Sequence, residues 1–306
     1  MHILTKMNIL KFFLFFFTLL ELFSCNQNKN TKNNEETTTT GTICVSVDES
    51  LRPLMEAELN VFGYLYADAH IKVSFKPEAG VMNDFKNDSA RAIIVTRELT
   101  ANEMAYFRSI QYIPIALPFA KDGISVIVNK KNRLDSFTVA DLKQILTDKW
   151  TKKMLVVFDN SASSTVRWLT DSLLKKEVLA KNCFAVETNP EVIKYISEHE
   201  NAIGIIGTSW ISDKDDSAVT LRLSTIKRAR IAAAGSVDYL EPFQSEIQTE
   251  RYALARMVYV IQRDGKLGLG TGLQHFLFSE KGQMIVLKFG LMPYTQPERS
   301  IHLNLN

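Results

Sequence analysis

The sequence predicts an α/β protein with two lobes, each a mainly parallel sheet flanked by helices. Three observations carry that class. From Thr42 onward, short β-rich runs alternate with longer helical ones, the pattern of strand–helix–strand units. A second strand–loop–helix series begins at residue 154. A late extended run then returns near residue 250, so residues 42–130 with 250–306 form one lobe and the inserted residues 131–249 the other.

In order, TICVSV (42–47) is a strand, and residues 50–66 are a helix with apolar side chains at 51, 54, 55, 59, 62 and 65. HIKVSF and ARAIIVT are the next strands, with a short polar segment between them, and LTANEMAYFRS opens a helix. IPIALPFAKDGISVIVNKKN reads as two extended runs broken at Asp122-Gly123. FTVADLKQILTD is a short helix with Thr138 as its cap. MLVVF (154–158) is a strand that leads through a hydroxyl-rich loop into a helix over about residues 164–175. PEVIKYISEHE is helical, AIGIIG is a strand, and ERYALARMVYVIQ is extended. LQHFLFSEKGQMIVLKFG is a closing helix, followed by LMPY.

The N-terminus has its own logic. Lys6 and Lys11 accompany an apolar run that ends at Ser24-Cys25; it is too short and interrupted for a comfortable span and reads as a secretory signal over residues 1–24. Leu22-Phe23-Ser24-Cys25 resembles the bacterial lipobox, which makes Cys25 a lipidation site and the bilayer a partner. Residues 26–41 contain no apolar side chain and cannot build a core, so 25–41 is expected to be a flexible tether. That implies a lipid-anchored, periplasm-facing protein in the cell envelope, with either membrane as its anchor.

Composition narrows the class further. The chain is 46% hydrophobic and 23% charged, with a net charge of +2, so no basic excess argues for nucleic acid. Beyond Cys25 only Cys44 and Cys183 remain; two distant cysteines do not specify a bridge, and Cys44, inside a strand, reads as a buried thiol. The five histidines form no ligand cluster, so no metal or cofactor is indicated. No GxSxG elbow surrounds Ser161, Ser163 and Ser164, and no phosphate loop of nucleotide-binding type follows a strand. The glycine-rich GKLGLGTG (265–272) reads as a hinge or loop. Nothing argues for an enzyme.

Binding is better supported. Asn160-Ser161-Ala162-Ser163-Ser164-Thr165 lies between a strand and a helix, where free backbone N–H groups, the helix dipole and hydroxyl donors make an oxyanion site. Asp48-Glu49-Ser50 and Thr96-Arg97-Glu98 occupy the same kind of place after two strands of the first lobe. Ligands of open α/β sheets sit beyond such strand ends. Plain N-capping accounts for one such loop, and a salt bridge to Glu98 or Glu103 for an isolated Arg97. Three strand ends spread over two lobes fit a ligand held between them.

Here the chain resembles the periplasmic phosphate-binding proteins of bacterial ABC importers, within the type II solute-binding fold. ARAIIVTRELTANE, IPIALPFAKDGISVIVNKKN, FTVADLKQILTDKW, NSASSTVRWL, AIGIIG and FSEKGQMIVLKFGLMPY are similar to successive family segments, in order, from Thr42 to about Tyr294. The resemblance implies hinge closure on phosphate and delivery to an ABC permease complex in the inner membrane. It implies a ligand set of Ser50, Thr96, Arg97, Ser163, Ser164 and Thr165, with Asp48, Glu49, Ser161 and Arg167 as secondary candidates. The departures are specific. Asp159 stands where the family often has arginine, Ser164 where it has glycine, and in Val47-Asp48-Glu49-Ser50 only Ser50 fits. Such acids either select protonated phosphate or indicate another ligand: sulfate, molybdate or a small organic anion. A scaffold or sensor lipoprotein that has lost transport is the alternative from another class.

Overall fold

The computed structural model describes residues 36–295, apart from Lys176 and Lys266. The signal segment and Cys25 lie outside the described residues. The first half of the main sheet holds β1 (Gly41–Asp48), β2 (Ala69–Lys76), β3 (Ala92–Val95) and the start of β4 (Ala116–Asn129). After a short β5 (Ser136–Thr138), the second half adds β6 (Leu155–Phe158), β7 (Cys183–Ala185), β8 (Ala202–Gly207) and β9 (Ile226–Arg228). β10 (Arg230–Ala232) and β11 (Tyr239–Leu240) join β5 in a small separate sheet. β12 (Ala255–Gln262) returns to the first half, and β13 (Met292–Pro293) pairs with β4.

The strand order is β2-β1-β3-β12-β4-β8-β6-β7. β1 runs parallel to β2 and β3, and β6 runs parallel to β7 and β8. The antiparallel pairs of the main sheet all involve β4 or β12. These two carry the chain between halves: Ala116–Gly123 of β4 pairs with β12, and Ile124–Asn129 pairs with β8 and β9.

Burial explains the sequence pattern. Ala92, Ile93, Ile94 and Val95 are all buried, alternating between a core under the helix Arg52–Leu65 and one under the helix Glu78–Lys86. A strand covered on both faces reads as a continuous apolar run. AIGIIG is its counterpart, with Ile203 and Ile205 in one core and Ala202 and Ile206 in the other. Each large side chain so buried contributes about 1.5–3 kcal/mol.

Several local expectations change. Asp122-Gly123 does not break β4, which is one strand. A Cβ on Gly123 would lie 2.6 Å from Pro242 Cβ, so the glycine serves a close approach rather than a turn. Residues 78–86 form a helix behind Pro77, absent from the sequence reading. The helix after β6 is α-helical only over Ser164–Trp168 and widens into a π-type turn over Leu169–Leu174. The closing helix is two, Leu269–Phe278 and Glu280–Lys288, because Ser279 is extended and caps the second through Gly282 N–H. Of the glycine-rich stretch, Gly265, Leu267 and Gly268 are loop; Leu269 onward is helix, and Glu36 Oε1 accepts its first N–H at 3.1 Å. Cys44 is exposed, since β1 alternates and Ile43 and Val45 take the inward positions. Among the described residues no helix is long and apolar enough to cross a membrane.

Candidate functional site

The hydroxyl-rich strand ends meet where the two sheet halves face each other, over the crossing strands. Arg256 of β12 and Asp122 of β4 are cross-strand neighbours. The guanidinium Nε donates to Asp122 Oδ2 at 2.9 Å, and both side chains are buried. The other nitrogens reach outward to both halves. Nη2 donates to Ser50 Oγ at 2.8 Å, and Nη1 donates to Ser164 Oγ at 2.9 Å and Thr165 Oγ1 at 3.5 Å. Ser50 and Ser164 are themselves 3.3 Å apart, Oγ to Oγ. Ser209 Oγ donates to Ser50 O, against which Gly207 packs so closely that a Cβ would come within 2.6 Å.

Asp48 lies beneath this contact. Its Oδ1 accepts from Ser50 N and Oγ at 2.9 and 2.6 Å, the geometry of a cap on the short 3₁₀ turn Glu49–Leu51. Burial, together with the nearby Glu78 carboxylate, pushes Asp48 up to about 6. Glu49 reaches the other half, where Asn189 Nδ2 donates to its Oε2. Burial and the facing Asp159 push it up to about 7. Asp159 is also buried and raised, by burial above all. Asp48 Oδ2 and Asp159 Oδ1 are buried without a hydrogen bond of normal geometry among the described residues.

A second cross-contact lies beside the first. Thr96 N and Oγ1 both donate to Glu78 Oε1 at 2.9 Å. Arg167, from the opposite half, donates through Nε to Glu78 Oε2 and through Nη2 to Thr96 Oγ1 at 2.9 Å.

The structure therefore brings Ser50, Ser164 and Thr165 together on Arg256, and Thr96 and Arg167 together on Glu78. It leaves others aside. Arg97 grips Glu103 bidentately at 2.7 and 2.8 Å, with only its Nε within 3.6 Å of Glu78. Although burial opposes it, the Arg97 pair and the Thr100 cap hold Glu103 down at about 2. Ser163 caps its helix by accepting from Val166 N, and Ser161 is exposed. Among the described residues no group of three or more His, Cys, Asp and Glu side chains is placed to hold a metal.

Sequence reading missed Glu78, Asp122, Asn189 and Arg256. Two of them carried a signal. Arg256 is the only charge in ALARMVYVIQ, and Asp122 is the only acid in IPIALPFAKDGISVIV; charges inside apolar strands call for a buried partner. Pro77-Glu78 is a helix-start signature, but nothing in the sequence aims that side chain at Thr96.

Two sheet halves joined by crossing strands, with a polar seam between them, define the class of two-lobed binding proteins. The chain belongs to the PBP superfamily, whose domain model matches residues 32–281. It is 22% identical over 276 residues to the phosphate-binding protein PstS of Pseudomonas aeruginosa, covering 80% of each chain. A crystal structure from Clostridium perfringens, assigned to phosphate ABC transport as a substrate-binding protein and holding bound phosphate, aligns with TM-score 0.70 at 21% identity. That alignment covers 83% of this chain and all of the other. An ABC-type phosphate transport receptor from Vibrio cholerae aligns with TM-score 0.61 at 18% identity, over 83% of this chain and 100% of the receptor. The fold class expected from the sequence, a type II binding-protein fold, is the one found.

Proposed function

We propose that this chain is an extracytoplasmic solute-binding lipoprotein, anchored through Cys25, that captures phosphate between its lobes for an ABC permease. The observation that carries the reading is the meeting of Ser50 and Ser164, from opposite halves, on the Arg256 guanidinium. Hydroxyls and a buried cation are the donors an oxyanion takes. A phosphate admitted to the seam would take over hydrogen bonds that the two sides now make with each other. The hinge would lie in the crossing strands, where β4 passes from pairing with β12 to pairing with β8 at Gly123-Ile124. The names of the relatives point to the same ligand.

The acids favour phosphate over sulfate. Asp48 Oδ2 and Asp159 Oδ1 are acceptors in want of a donor; HPO₄²⁻ or H₂PO₄⁻ supplies one and sulfate does not. The sign of the pH dependence follows. Between pH 6 and 8, Glu49, at about 7, and Asp48, at about 6, complete their loss of protons and add negative charge beside the anion. Calorimetry on ligand-stripped protein is expected to show phosphate binding that weakens about tenfold, ~1.4 kcal/mol, from pH 6 to pH 8, with sulfate silent at pH 8, where both carboxyls are ionised acceptors. Silence with phosphate at both pH values overturns the ligand, and competition by molybdate or an organic anion would reassign it.

One observation favours the second reading, an envelope scaffold or sensor without transport. The seam is already bridged by the chain's own Arg167–Glu78, Asn189–Glu49 and Arg256–Ser164 contacts. A protein silent to every oxyanion and unable to support phosphate uptake fits that reading alone.

A further inference from the structure

We propose that the Glu78 carboxylate is a tethered anion occupying an oxyanion position of the seam, so that an incoming oxyanion competes with the chain's own side chain. The claim rests on the oxyanion reading above only for the identity of the competitor. Its support is the set of groups that hold Glu78. One oxygen takes the Thr96 backbone N–H and hydroxyl, each at 2.9 Å, at the end of β3. The other takes the Arg167 guanidinium from the opposite half, with Arg97 Nε at 3.6 Å. A strand-end N–H, a hydroxyl and guanidinium groups are the partners an external oxyanion would find there. Thr96, Arg97 and Arg167 are also among the residues that the strand-end pattern and the family resemblance assign to an oxyanion.

An ordinary helix-start acid explains less. Glu78 opens the helix Glu78–Lys86, where an acidic side chain complements the dipole from the surface. This one is buried, and its hydrogen bonds go to β3 and to the far half rather than to its own helix. Arg167 ties the arrangement together by donating to Thr96 Oγ1 as well. The carboxylate thus makes the cross-lobe contacts of a ligand while remaining covalently attached. A tethered group needs no concentration to bind, so it holds the seam shut in the absence of solute.

The test compares ligand-stripped wild type with Glu78→Ala and Glu78→Gln, using inorganic phosphate and sodium formate as probes. Formate is a bare carboxylate small enough to replace the group removed. Glu78→Ala is expected to bind phosphate at least tenfold more tightly than wild type, and millimolar formate is expected to raise its Tm without raising that of wild type. If neither protein binds phosphate but formate stabilises Glu78→Ala alone, the tethered anion stands and the phosphate reading falls. If wild type binds phosphate and Glu78→Ala binds it within twofold of that affinity, with no formate effect, the tethered anion is overturned and the phosphate reading stands. Should Glu78→Ala fail to fold, Glu78→Gln decides, since it keeps the shape without the charge: tighter phosphate binding supports the proposal, and unchanged binding overturns it.

Discussion

Replacing Arg256 with methionine is expected to cost about 3–5 kcal/mol of folding stability, because it strands Asp122 as a buried, uncompensated charge. Asp122 is fully buried and Arg256 nearly so. The guanidinium also satisfies Ser50 and Ser164 at 2.8 and 2.9 Å, so the loss opens both sides of the seam at once. Adding Asp122→Asn removes the stranded charge. Urea unfolding of the double variant is therefore expected to recover at least ~2 kcal/mol relative to the sum of the single variants, a coupling of the size seen for residues in direct contact. Additive losses would mean that the pair is not the element holding the crossing strands together.

The second large effect has the opposite sign. Glu58 sits on the inward face of the helix Arg52–Leu65 with Leu54 and Phe62, fully buried, and neither carboxylate oxygen has a hydrogen-bond partner among the described residues. Burial pushes it up to about 9. A carboxyl raised in the folded state is no handicap below its unfolded pKa of about 4.5, and it destabilises progressively as pH rises from there to about 9. At pH 7 the handicap is ~3 kcal/mol, from 1.36 kcal/mol for each unit between the unfolded pKa and the ambient pH. Glu58→Met keeps an unbranched, helix-compatible side chain and removes the proton linkage. Thermal unfolding should show a Tm gain of several degrees at pH 8 that shrinks markedly at pH 5. An equal gain at both pH values would place the benefit in packing rather than in ionisation.

The two positions mark how far the sequence could be read. The strands were legible because double-sided burial leaves continuous apolar runs, as in AIIV and AIGIIG. The capped helices were legible because Thr138 and Thr100 carry their partners, Asp141 and Glu103, three residues on. Glu58 was hidden by the same logic: a helical period built from apolar residues passes over a buried acid and selects Leu59, which is only partly buried. The hydroxyl loops were found, but their mutual geometry was not. Periodicity cannot show that Ser50 and Ser164 meet on an arginine far along the chain from both, nor that Arg97 turns to Glu103. Asp159, at the place where the family resemblance leads one to expect arginine, lies beside Asn189 and faces Glu49 across the seam. The cation of the seam comes instead from β12, a strand that the loop motifs do not include.

The most direct test of the phosphate seam is a crystal structure of ligand-stripped protein soaked at saturating phosphate. Tetrahedral density held by Arg256, Ser50, Ser164, Thr96 and Arg167, with the Glu78 side chain turned away from Thr96, is the expected result. Glu78 still seated on Thr96 and Arg167, with no tetrahedral density between the lobes, would contradict it.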